Sequence, residues 1–395
     1  MLLKNIHIVD DKQDFVGDIR IKNELIDEVG INLNAENEEV IDYSDTNYHL
    51  LPAFTDLHVH FRDPGLTHKE DVGTGSRAAI HGGYTAVNLM PNTKPTCSSM
   101  EIVKDVERRV EEIGLIFANQ TLSMTQNLEG KDIEHLKALK KNEILFVTDD
   151  GKGVQDDDLM EEIFRICKEK NITIMCHAED SRYSATDMRI AENNMTFRDI
   201  KLCEKTDGCI HFCHVSTKEA IEAIAEAQVK GLRVSCEVTP HHLSATGNEV
   251  NHYRVNPPFR EQEDIDALVK GIQTGVVCAI ATDHAPHTAE DKRNGSPGMV
   301  GLEVAFPLCF TKLVKGGFIS LQKLVQLMST NPSKMMRLNK GQIVAGQQAD
   351  LVITDLDMQF VINSDEFLSK GKNTPFNGKE VFGKIIHTIS KGRIY

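Results

Sequence analysis

The amino-acid sequence predicts an α/β protein: a (β/α)8 TIM barrel over residues 51–340, with a small β-sandwich domain formed by the N- and C-terminal segments, 1–50 and 341–395. Three observations predict it. From residue 51 onward eight short apolar runs alternate with helix-like segments, as in an eightfold strand–helix barrel. The two flanks alternate apolar and polar residues, as hairpin strands do. At 395 residues the chain also exceeds the size at which one hydrophobic core stops growing. An open doubly wound sheet is the alternative, because periodicity alone does not close a barrel.

The eight runs are LLPAFTDLHVH, TAVNLMPN, LIFANQTLS, EILFVTDDG, ITIMCHAED, CIHFCHVST, LRVSCEVTPHH and VVCAIATDHAPH, and each ends in polar residues. Between them, SMEIVKDVERRVEEIG, QDDDLMEEIFRICKEKN and STKEAIEAIAEAQVKG repeat apolar residues at three- and four-residue steps and close on Gly or Asn, which predicts helices. The flanking stretches LLKNIHIVDDKQDFVGDIRIKNELIDEVG, ADLVITDLDMQFVI and GKIIHTISKGRIY are too short to form a core separately, so they are expected to pair with each other.

Composition narrows the function classes. With 40% hydrophobic and 26% charged residues and no apolar stretch of membrane-spanning length, the chain reads as soluble. MLLKNIHIVDDKQD turns charged before any signal-peptide core develops, so the cytoplasm is the expected compartment. Nine cysteines, an odd number without a C-x-x-C pair, argue against a disulfide framework or a thiolate zinc site. A formal charge of −15 argues against nucleic-acid or anionic-membrane binding, so an anionic ligand would need local cations. VGTGSRAAIHGG follows no strand with a G-x-G-x-x-G pattern, which excludes nucleotide binding by that motif.

In a barrel of this kind catalytic residues come from the C-terminal ends of the strands. Asp56, His58 and His60 share one parity on the first strand, so both imidazoles can reach one ion. The fourth run ends in Asp149 and Asp150, the fifth in His177, the sixth in His214 and the eighth in Asp283. Burying so many ionisable groups together is costly without a cation. Imidazoles mixed with carboxylates suit a catalytic Zn²⁺, with Mn²⁺ or Co²⁺ able to substitute. Six candidate ligands exceed the needs of one tetrahedral ion, which favours two ions sharing a carboxylate. Parity does not choose between Asp149 and Asp150 as the shared group. His49, His68, His81, His135, His252 and His387 fall in loops, helices or the sandwich and are assigned no role, while His241 and His242 read equally as supports of the site or as a hydrogen-bonded rim pair.

These residues resemble the amidohydrolase superfamily. Within it DLHVHFRDPG, MPNT, DDG, CHAED, CHVSTK, EVTPHHL, NPPFR, ATDHAPHTAEDK and FLSKGKNTPFNG are similar, in this order, to motifs of the bacterial class I dihydroorotase family. The resemblance implies that His58 and His60 bind one zinc ion, His177 and His214 a second, and that Asp150 bridges them. It makes Asp283 the catalytic aspartate, also touching the first ion. It places His60, Arg62, Asn92, Asn256, His287, Pro297 and Gly298 at the substrate. The stretch from Ser181 to Phe212 is shorter than the helix-containing excursion of that family, which is expected to alter a rim of the site or a subunit contact.

The implied activity is the reversible, hydrolytic interconversion of N-carbamoyl-L-aspartate and L-dihydroorotate in pyrimidine (UMP) synthesis. A metal ion can lower the pKa of a bound water from 15.7 to about 7, so a metal-bound hydroxide would attack the ring amide with Asp283 as general base and then acid. Arg62 offers a planar fork for the substrate carboxylate; its alternative is a surface ion pair with Asp63, Glu70 or Asp71. The segment from His284 to Gly298 is expected to cover the substrate. The rival activities are a hydantoinase, dihydropyrimidinase or allantoinase, and a non-catalytic subunit supporting aspartate transcarbamoylase. The resemblance leaves room for a homodimer and for a complex with that transcarbamoylase.

Overall fold

The computed structural model describes residues 1–395. Its N-terminal flank supplies β1 (Leu2–Val9), β2 (Asp14–Lys22), β3 (Leu25–Gly30), β4 (Val40–Asp42) and β5 (His49–Pro52). Eight strands follow, one in each apolar run: β6 (Phe54–Val59), β7 (Tyr84–Leu89), β8 (Phe117–Gln120), β9 (Phe146–Val147), β10 (Thr173–Cys176), β11 (Ile210–Phe212), β12 (Val234–Val238) and β13 (Ala279–Ile280). The C-terminal flank adds β14 (Leu351–Val361), β15 (Glu380–Ser390) and β16 (Arg393–Ile394).

The eight middle strands form two parallel arcs, β6-β7-β8 and β9-β10-β11-β12-β13. Parallel bridges link the arcs at both ends, Leu122 to Val147 and Val59 to His284. At the second junction the His60 N–H donates to the His284 carbonyl at 2.8 Å.

Helices between successive strands follow from local sequence. They include α1 (Val72–His81), α2 (Met100–Ile113), α3 (Glu134–Ala138), α4 (Asp157–Lys170), α5 (Met188–Thr206), α6 (Lys218–Val229), α7 (Pro240–Ser244) and α8 (Gln262–Thr274). Helix α2 starts where Ser99 accepts from the Ile102 N–H and stops at left-handed Gly114. Helix α4 starts at Asp156 in the same way and ends at left-handed Asn171. Met160, Ile163, Phe164 and Cys167 recur at helical spacing and face the largest apolar cluster. Burying each large side chain of that kind contributes about 1.5–3 kcal/mol. Helix α5 fills most of the Ser181–Phe212 stretch.

All the flank strands belong to one hydrogen-bonded sheet of order β16-β15-β14-β5-β1-β2-β3, with β4 also on β1. The two chain ends meet where β5 pairs antiparallel with β14, Leu51 opposite Val352. Leu3, Ile19, Leu50, Leu351, Ile353 and Ile389 share a separate core. This sheet reaches Pro52, and only Ala53 separates it from β6, so the first strand carrying candidate ligands is anchored directly to the flank. No helix is long and apolar enough to cross a membrane.

Candidate active site

The strand ends converge. His58 lies in β6 and His60 just beyond it; Asp150, His177, His214 and Asp283 follow β9, β10, β11 and β13. His58 Nε2 stands 3.2 Å from Asp150 Oδ1 and 3.7 Å from Asp283 Oδ1. His60 Nε2 stands 3.0 Å from Asp283 Oδ1 and 3.6 Å from Asp150 Oδ2. The His214 ring centroid is 5.0 Å from that of His58 and 4.7 Å from that of His177. The ligand atoms of His58, His60 and Asp283, and those of His58, Asp150 and His214, each fit within 4.8 Å.

A cavity of about 220 Å³ opens above them, lined by every sequence-predicted site residue except His58, which is buried. Thus Arg62, Asn92, Asn256, His287, Pro297 and Gly298, far apart in sequence, meet the ionisable group at one mouth.

The donor set fits a cation. Nε2 of His58, Oδ1 of Asp150 and Nδ1 of His177 are buried without a hydrogen-bond partner. His60 Nδ1 donates to Asn92 Oδ1 at 2.9 Å, and burial lowers the pKa of this imidazole, so the neutral ring turns a lone pair at Nε2 toward two carboxylates. Burial and the neighbouring His177 and His58 likewise hold His214 well below its ordinary pKa. Imidazole nitrogens and carboxylate oxygens crowded without partners in a buried space are costly unless a positive charge lies among them.

The backbone is unusual at the same place. Arg62, His214 and Asp283 have φ of 59°, 37° and 48°, the left-handed region that costs a non-glycine residue about 1–2 kcal/mol. Surrounding structure holds them there and aims their side chains into the cavity. Gly298 has φ of 124°, and a Cβ on it would lie 2.8 Å from the Ala285 Cβ, so that turn requires glycine.

Arg62 has no carboxylate partner. Asp63 pairs with Arg109 at 2.8 Å, Glu70 with His284 at 3.5 Å and Asp71 with Lys370. Instead the guanidinium donates from Nη2 to His287 Nε2 at 3.2 Å, and His287 is kept neutral, pushed down to about 3 by burial and the adjacent Arg62 and Lys69 charges.

Asp149 turns away: its carboxylate accepts from the Thr125 N–H at 2.9 Å and from the Thr125 hydroxyl. His242 is a hydrogen-bonded rim residue, bridging the Thr239 hydroxyl at 2.8 Å and the Pro257 carbonyl at 3.0 Å. Sequence reasoning missed Glu237, on β12, whose Oε1 lies 3.3 Å from His58 Nδ1 while Oε2 meets His211 Nε2 at 3.0 Å. A carboxylate inside the apolar run LRVSCEVTPHH was its signal. It also missed Glu179, which accepts from Asn256 Nδ2 at 2.8 Å, and Asn373, which grips the segment carrying His287.

Residues 49–395 match the model of the amidohydrolase family. The chain belongs to that family. Among curated amidohydrolase relatives it is 50% identical over 395 residues to a dihydroorotase of Clostridium botulinum (strain Eklund 17B / Type B), covering 100% of this chain and 98% of the relative. A dihydroorotase of Bacillus subtilis (strain 168) is 37% identical over 418 residues, covering 100% and 97%. Of solved structures, a dihydropyrimidinase from Brevibacillus agri NCHU1002 superposes with a TM-score of 0.88 at 25% identity, covering 100% of this chain and 94% of that one. An L-hydantoinase from Arthrobacter aurescens gives 0.87 at 24% identity, covering 100% and 95%, a likeness of fold. A barrel with an added domain is therefore the family architecture that this amidohydrolase shares.

Proposed function

We propose that the chain is a zinc-dependent dihydroorotase, interconverting N-carbamoyl-L-aspartate and L-dihydroorotate. One observation carries the reading: the Arg62 guanidinium faces the cavity without a carboxylate partner, beside an imidazole–carboxylate cluster. A ring substrate bearing a carboxylate completes that pairing, and dihydroorotate has one where hydantoin and dihydrouracil have none. The 50% identity to a dihydroorotase over the whole chain supports the same substrate. So does a fourth strand ending in Asp149 and Asp150 rather than in a lysine.

In this reading His58, His60 and Asp283 would hold one zinc ion, His177 and His214 would hold a second, and Asp150 would serve both. Bound zinc supplies activation of water near neutral pH and stabilisation of charge developing on the amide oxygen. Asp283 takes the proton from water and returns it to the leaving ring nitrogen; in the cyclising direction it runs the same transfers backwards. Arg62 binds the substrate carboxylate, with neutral His287 beside it. Asn256, whose amide nitrogen is tied to Glu179, presents its oxygen to a ring N–H. The two linked arcs are read as a closed (β/α)8 barrel, and the flank sheet with its separate core as the small β-sandwich domain.

The test is purified protein, chelated and then returned to zinc, assayed with dihydroorotate beside dihydrouracil, hydantoin and allantoin. Zinc-restored turnover of dihydroorotate is expected. Turnover confined to another ring overturns the proposal.

A further inference from the structure

The segment from His284 to Gly298 carries five residues lining the cavity, Ala285, His287, Ser296, Pro297 and Gly298, and holds a short helix, α9 (Ala289–Arg293). Two side chains that do not line the cavity clamp it. Lys292 on α9 donates from Nζ to the carbonyls of Arg254, Ser296 and Gly298 at 2.9, 2.8 and 2.9 Å, and sits 4.2 Å over the Tyr253 ring. It thereby ties the Pro297–Gly298 turn to the strand of loop that leads into Asn256. A lone ammonium among three carbonyl oxygens forms charge-assisted bonds that a neutral side chain does not replace.

The second clamp comes from the C-terminal region. Asn373, in the excursion between β14 and β15, accepts from the His287 N–H at 3.0 Å through Oδ1 and donates from Nδ2 to the Gly298 carbonyl at 3.1 Å. One amide therefore fixes both ends of the segment. Lys292 and Asn373 share the Gly298 carbonyl, so the two clamps meet at the residue whose missing side chain leaves room for the turn.

We propose that Lys292 and Asn373 are positioning residues that set the substrate-holding wall of the pocket, acting through His287, Gly298 and Asn256. The substrate part of this inference rests on the dihydroorotase reading; the clamp itself does not. The substitutions Lys292→Met and Asn373→Leu are made in the full chain, with Lys292→Arg alongside. Each of the first two is expected to raise KM for dihydroorotate about tenfold, as loss of a charge-assisted or paired hydrogen bond would, with kcat changed by less than about threefold. Zinc content stays at the wild-type level, amide exchange quickens in peptides covering 284–300, and Lys292→Arg recovers most of the KM. Unchanged KM and exchange overturn the proposal, as does a fall in kcat at unchanged KM. If wild-type protein leaves dihydroorotate untouched, the functional reading fails, while the exchange measurement still decides for or against the clamp.

Discussion

Oδ1 of Asp150 stands 3.2 Å from Nε2 of His58, and both buried atoms lack a hydrogen-bond partner. Asp149, next in the chain, spends its carboxylate on Thr125 instead. Asp150→Ala is therefore expected to lose metal and activity together. Removing one member of a buried charged cluster costs at least about 3 kcal/mol, roughly a hundredfold in ion affinity. Asp149→Asn is expected to keep zinc and to lose about 1–3 kcal/mol of stability, because a buried acceptor is weakened. Metal content by mass spectrometry and urea unfolding of both variants check the pair; metal loss in Asp149→Asn alone would exchange their roles.

Arg62→Lys keeps the positive charge and loses the planar fork. The expected result is a KM for dihydroorotate raised about tenfold or more, with metal content unchanged, since a single point charge replaces two parallel hydrogen bonds. Steady-state kinetics with metal analysis decides this. Unchanged KM and turnover would leave Arg62 a structural residue at a left-handed backbone position.

Acid should weaken the loop after β10 in a defined window. Hydrogen bonds from Arg182, at 2.7 and 2.9 Å from its guanidinium, hold the Asp180 carboxyl down at about 2, below the ordinary value near 3.9. A folded-state pKa below the unfolded one gives stability that is complete above about pH 4 and lost as pH falls toward 2. Arg182 is largely exposed, so screening reduces the contribution to about 1 kcal/mol. Asp180→Asn should lower unfolding free energy by that amount at pH 7 and flatten its fall between pH 4 and 2. An unaltered acid limb would assign the loss to other carboxylates.

The strand ends were legible because chemistry repeats there: a His or Asp assigned as a candidate ligand stands at the end of five of the eight apolar runs, and no bland pattern explains that. What periodicity could not supply was direction. Parity in EILFVTDDG leaves Asp149 and Asp150 equal, and only the Thr125 contact, made across a loop, turns one of them away. Contacts between remote segments were also invisible, as with Glu237 behind His58 or Asn373 reaching the His287 backbone from the far end of the chain. Arg62 was visible as a residue, while the fact that its three acidic neighbours are all engaged elsewhere required coordinates.

Asn92 separates two readings of its own role. Sequence resemblance places it at the substrate, yet its amide is engaged on both sides, Oδ1 accepting from His60 Nδ1 at 2.9 Å and Nδ2 donating to Asp150 Oδ2 at 2.8 Å. An amide in that position fixes the His60 proton on Nδ1 and leaves Nε2 free as a ligand, while it orients the carboxylate that would lie between two ions. Asn92→Ala should then weaken zinc retention by about 10–100-fold, the usual consequence of deleting a residue that orients ligands. Asn92→Asp should be worse, since it sets a second carboxylate against Asp150 where the amide donated. Competition with a chelating indicator measures the affinity, and kinetics at saturating zinc measures the remainder. If zinc affinity holds while KM rises, Asn92 acts on the substrate alone and the ligands are oriented without it.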